Sequence, residues 1–116
     1  RTYGINGNTE MKTHKRYACH RVYDGCNHYH PQSVVTITEK GEVLECASLT
    51  HETPFTEWIG GVIILSPLSE AVAGTDFPTL LREMTIPGRT PLYAWHIPHF
   101  DFNREELTPQ SIMKRL

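Results

Sequence analysis

Apolar and polar positions along this chain fall in short runs, and the pattern favours strands over helices. The clearest signal is Val34-Val35-Thr36-Ile37-Thr38, β-branched throughout, then Glu39-Lys40-Gly41-Glu42, then Val43-Leu44-Glu45-Cys46-Ala47. Two β-prone runs around a short turn, with a glycine free to take positive φ, predict a hairpin. Lys15 to Tyr23 predicts an earlier strand, with Tyr17, Cys19, Arg21 and Tyr23 on one face and Ala18, His20 and Val22 on the other. Neither face is uniformly apolar. Asp24-Gly25-Cys26-Asn27 supplies turn chemistry, and Pro31 is expected to keep the next stretch irregular.

Thr50 to Glu57 is polar, and Pro54 predicts a loop or a single helical turn there. Trp58-Ile59-Gly60-Gly61-Val62-Ile63-Ile64-Leu65 is almost wholly apolar and predicts a strand buried on both faces, with the glycine pair marking a bulge. Asp76 with Pro78 reads as a helix start, with Leu80, Leu81 and Met84 inward and Pro87-Gly88 after the end. Pro91 to Ile97 predicts another strand. Thr108-Pro109 predicts a short C-terminal helix with Ile112, Met113 and Leu116 inward. The expected fold is mostly β (α+β): about five strands in an antiparallel curled sheet, a partial barrel or small sandwich, with one or two short helices. Residues 1–14 are expected to be a disordered tail and residues 15–116 a single small β-rich domain.

At 116 residues, 39% of them apolar and 21% charged, the chain has the make-up of one globular domain. A net charge of −2 argues against nucleic-acid binding. The basic residues Lys12, Lys15, Arg16 and Arg21, interleaved with Tyr17 and Tyr23, read as a charge-guarded edge strand. No apolar run approaches the roughly 20 residues of a membrane span. Three cysteines, Cys19, Cys26 and Cys46, make no disulfide framework, and they favour a reducing, cytoplasmic setting. Met11 offers an alternative start that would make Arg1 to Glu10 an upstream tail, and a signal peptide removed before Arg1 stays open.

Candidate chemistry is sparse. Cys26, His28 and His30 offer three zinc-ligand types within five residues, and Cys19, His20, His96 or His99 is a candidate fourth ligand. The competing reading is a polar loop, because paired CxxC or HxxxH blocks are lacking, and no cofactor other than that zinc is expected. His96 and His99 form a second group with Asp101 nearby, and the simpler reading is one half-buried and one solvent histidine. Ser66 lacks a GxSxG elbow, and Gly60-Gly61 lies in an apolar run rather than a phosphate-binding turn. Adjacent Glu105 and Glu106 diverge and form no acid–base pair.

Three blocks in Tyr17 to Pro67 carry a resemblance. They are His20-Arg21-Val22-Tyr23, Ser33 to Ile37 with Glu42-Val43-Leu44, and Gly61-Val62-Ile63-Ile64-Leu65-Ser66-Pro67. The order resembles small uncharacterised proteins of Bacteroidetes with a similar Thr-Glu-Trp-Ile-Gly-Gly-Val-Ile block. It is also similar to the small β domain flanking the barrel of amidohydrolase-type metal enzymes. In those enzymes a paired-His motif follows the corresponding strand. Here Ser66, Pro67 and Leu68 follow Leu65. The second resemblance therefore implies the β scaffold without the enzyme.

The expected function is a non-catalytic binding or interaction module, in a homo-oligomer or with a protein partner. Tyr29, Phe55, Trp58, Phe100 and Phe102 are the aromatic residues expected in exposed loops. The alternatives are a small metal-dependent enzyme or metal carrier built on Cys26, His28 and His30, and a companion subunit of a larger enzyme.

Overall fold

The computed structural model describes residues 14–25, 28–49, 56–70, 76–109 and 111–116. Nearly all of the expected tail, 1–14, lies outside them, as do Cys26 and Phe55. The described chain is mostly β, with one helix. Strands β1 (Lys15–Gly25), β2 (His28–Ile37), β3 (Val43–Ser48), β4 (Thr56–Trp58), β5 (Val62–Ser66) and β6 (Tyr93–Ile97) precede three two-residue strands. Those are β7 (Phe100–Asp101), β8 (Glu106–Leu107) and β9 (Lys114–Arg115), and helix α1 (Phe77–Met84) lies between β5 and β6.

The main sheet runs β3-β2-β1-β5-β6-β9, with β4 also on β1, while β7 and β8 form a second small sheet. The β1–β2, β2–β3, β5–β6 and β6–β9 pairs are antiparallel. The β1–β4 and β1–β5 pairs are parallel, so the expected antiparallel sheet is in fact mixed. At one corner the sheet's two ends meet: Glu42 bridges Tyr93, and Val43 N–H donates to Leu92 O at 2.7 Å. The sheet is thus curled toward a partial barrel.

The predicted hairpin is β2–β3, with Gly41 at φ +85° in its turn. Its first strand starts earlier than expected. β2 runs through Pro31, at a level where β3 has already ended at Ser48 opposite Ser33. The apolar run 58–65 is split: Thr56 and Glu57, expected in a loop, join Trp58 in strand β4, and Gly60 and Gly61, both at φ +66°, separate it from β5. All five residues of β5 are buried.

Burial on both faces of β5 reflects two apolar clusters. Cys19, Val22, Val35, Ile37, Ile63, Leu65 and Ala94 fill the inside of the curl. Tyr23, Val62, Ile64, Trp95, Ile97 and Phe100 pack outside it against Phe77, Leu80, Leu81 and Met84 of α1. The helix begins as its sequence dictates. Asp76 Oδ1 accepts the Thr79 N–H at 2.8 Å, and the apolar residues recur at helical spacing.

Two further expectations fail. Among the described residues the predicted C-terminal helix is absent: Lys114 and Arg115 pair with His96 and Trp95, Met113 packs outside the curl and Leu116 inside it. Ile112, expected inward, is exposed. β1 is no edge strand either, since β2 flanks one side and β4 and β5 the other. No described helix is long and apolar enough to cross a membrane.

Candidate functional site

The site begins with a break in β1. His20 N–H and Arg21 N–H both donate to Gly61 O, at 3.1 and 3.4 Å, and two residues facing one partner residue make a β-bulge. The bulge resets the alternation of side chains. Tyr17 and Cys19 point inside the curl, and so does Val22, three residues after Cys19. Tyr23 points outside, as His20 and Arg21 do. This explains why neither face of the regular alternation read as apolar. Opposite the bulge, Gln32 of β2 takes φ +37°.

The bulge brings His20 and Arg21 together against Phe102. The His20 ring lies 5.0 Å from Phe102 and 5.0 Å from Trp58, edge-on to the latter. The Arg21 guanidinium sits 5.1 Å from the Phe102 ring and 4.5 Å from the Tyr29 ring. The result is a row: Trp58, His20, Phe102, Arg21, Tyr29. Trp58 is 51% exposed and Tyr29 38%.

Hydrogen bonds fix the row. Gly61 N–H donates to His20 Nδ1 at 3.0 Å, which leaves the proton of the neutral ring on Nε2. Arg21 Nη1 donates to Tyr23 Oη at 3.1 Å and reaches Glu105 Oε1 at 3.5 Å. Burial works to lower the Arg21 pKa, but the Tyr23 hydroxyl and the nearby Tyr29 and Glu105 outweigh it, so the cation is favoured. Burial raises the Tyr23 hydroxyl above its usual range. The row therefore offers aromatic surface and one held positive charge, the composition of protein-binding hot spots.

The other expected groups sit elsewhere. Phe100, expected in an exposed loop, is a core residue, 9% exposed, packed on Phe77. Cys19 is buried inside the curl, where burial pushes its thiol up to about 12. The half-buried Cys46 is pushed to about 11, first by burial and then by Asp24 and Glu45. His96 is held by a 3.0 Å hydrogen bond between Nε2 and Gly60 O, and His99 is exposed. Asp101 accepts from Asn103 N–H and Arg104 N–H, closing its own turn rather than orienting a histidine. Ser66 is fully buried, and its Oγ accepts the Leu68 N–H.

Cys26 lies outside the described residues. The other two expected metal ligands, His28 and His30, do come together, and their third companion is Asp24. None of Cys19, His20, His96 and His99 joins them in that group. In sequence Asp24 reads only as turn chemistry. His30 pairs with Val22, and Asp24 lies two residues beyond Val22, where the pairing shifts register, so the pairing of β1 with β2 and not local sequence carries the signal. Burial works to raise the Asp24 carboxyl, but the hydrogen bonds from His28 and His30 outweigh it and hold it below its usual value.

One cleft, about 610 Å³, lies between the start of α1 and the β7–β8 hairpin, and Glu105, the ion-pair partner of Arg21, is in its lining. Arg82 and Arg104 there are opposed by Asp76, Glu105 and Glu106, so acidic groups slightly outnumber basic ones. No protein-family model, curated protein or solved structure matches the chain.

Proposed function

We propose that this chain is a non-catalytic interaction module that associates with a second copy of itself through the row from Trp58 to Tyr29. One observation carries the reading: a half-exposed Trp58 stands at the end of a fixed aromatic and cationic row. Trp, Tyr and Arg dominate binding energy at protein interfaces, Trp and Tyr because they bury large area at little conformational cost and Arg through its planar, multiply donating cation. The row also adjoins an open edge, since among the described strands β4 pairs only with β1. An unpaired edge offers backbone donors and acceptors to a partner strand.

Free thiols at Cys19 and Cys46, both packed against the inner cluster, support a reducing compartment such as the cytoplasm. The likeness to the β domain beside amidohydrolase-type barrels fits the same reading, a β scaffold that binds rather than catalyses.

Sedimentation equilibrium tests the proposal. The wild type should dimerise at micromolar concentration. Trp58→Ala, which falls on both copies, should weaken the dimer by about thirtyfold or more, thirtyfold being the effect of removing one hot-spot residue. A wild type that stays monomeric up to millimolar concentration, or a Trp58→Ala dimer as tight as wild type, overturns the reading.

A further inference from the structure

The hairpin end of β1–β2 carries a second constellation, independent of the aromatic row. His28 and His30 are alternate residues of β2, so they project to one side, and Asp24 reaches them from β1. The pairing shifts register between Tyr23 and Gly25, which turns the end of β1 toward the two histidines. His28 Nδ1 lies 2.7 Å from Asp24 Oδ1, and His30 Nε2 lies 2.8 Å from Oδ2. The two imidazole rings are 4.9 Å apart at 86°, so they do not stack, and each aims a nitrogen at the same carboxylate.

We propose that Asp24, His28 and His30 bind one divalent transition-metal ion of the zinc or nickel type. All three ligand atoms lie within 4.8 Å of one another. An ion about 2.0–2.2 Å from each of three tetrahedral ligands places them roughly 3.4 Å apart. The carboxylate–imidazole contacts, now 2.7 and 2.8 Å, open to that spacing by small side-chain rotations. Exposure leaves room for them: the side chains of His28, His30 and Asp24 are 65%, 41% and 35% accessible.

The donor set chooses the class of ion. Two imidazoles and one carboxylate suit zinc, nickel, copper or iron(II), whereas magnesium and calcium prefer all-oxygen shells. Each histidine must present a lone pair where it now faces the carboxylate. A neutral ring does so by moving its proton to the other ring nitrogen, and a cationic ring by releasing it. Three protein ligands leave the remaining positions to water. The site is open, and its affinity is set by three ligands on one hairpin.

The test uses tag-free protein stripped with chelator and then dialysed free of it. Zinc is titrated in against a fluorescent competitor, with histidine side-chain resonances followed by NMR. One equivalent should bind saturably, shifting the His28 and His30 resonances while those of His96 and His99 stay in place. Asp24→Asn, His28→Gln and His30→Gln should each weaken binding about tenfold or more, since losing even an outer-shell partner costs that much. His99→Gln should leave it unchanged, and magnesium should not compete. The NMR shifts on the wild type keep the test valid should a variant unfold. Absence of saturable binding, wild-type affinity in the three ligand variants, or shifts at His96 or His99 instead overturns the proposal.

Discussion

Replacing Gly61 by alanine tests the close approach of β5 and β6 beside the β1 bulge. Gly61 sits at φ +66°, where an L side chain costs about 1–2 kcal/mol. A Cβ there would also overlap the Ile97 carbonyl oxygen and meet Pro98 Cα at 2.9 Å. Relief requires β6 to move off β5 where Val62 pairs with Ile97, and both of those residues are core. Forcing an extra methyl into a packed interior costs about 1–3 kcal/mol, so the total is about 2–5 kcal/mol. Gly60 is the internal control. It has the same φ, but its Cβ would meet only the His20 and Trp58 rings, at 3.4–3.6 Å, leaving about 1–2 kcal/mol of backbone cost. In urea unfolding, where m for such a domain is about 1–3 kcal/mol per molar, Gly61→Ala should lower the midpoint by roughly 1–2 M, and Gly60→Ala by clearly less. Equal midpoints for the two variants would refute the close approach of β5 and β6 at Gly61.

Further predictions concern the core and its titrating groups. Ile63→Ala, fully buried inside the curl, should cost about 2–5 kcal/mol in the same assay. Burial holds His96 below its ordinary 6.5, against hydrogen bonds to the Gly60 and Ile59 carbonyls. The unfolded chain therefore binds more protons between that lowered value and 6.5, so stability is present above 6.5 and is lost as pH falls through this window. His96→Gln, which can still donate to Gly60 O, should flatten that slope in urea midpoints measured across pH. Cys19 and Cys46, with thiols pushed to about 12 and about 11, should resist alkylation at pH 8 until denaturant is added, as read by peptide mass spectrometry. Rapid native labelling at Cys19 would contradict its place inside the curl.

Much of this fold is legible in sequence where local chemistry and packing agree. The β-branched run at Val34 to Ile37, the turn glycine Gly41 and the return at Val43 each favour the same hairpin. Asp76, Pro78 and the spacing of Leu80, Leu81 and Met84 likewise agree on one helix. What is hidden depends on partners distant in sequence. Regular alternation assigns Val22 to the face opposite Cys19, and only Gly61, some forty residues on, shows that a bulge puts them together. The last segment looks helical because Thr108-Pro109 resembles a helix start, yet pairing with Trp95 and His96 decides it. The histidines were visible as ligand types, but Asp24 joined them only once the register of β1 on β2 was known.

The two tryptophans give the most direct test of the interaction face. Trp95 is buried, and its Nε1–H donates to Leu68 O at 3.1 Å, whereas Trp58 is half exposed at the end of the row. Proton–nitrogen correlation spectra across a dilution series from millimolar to low micromolar separate their indole signals. The account predicts that the Trp58 indole and the amides of His20 to Tyr23 move with concentration while the Trp95 indole stays fixed. Spectra that do not change on dilution, or changes confined to the β3 edge around the exposed Leu44, would contradict it.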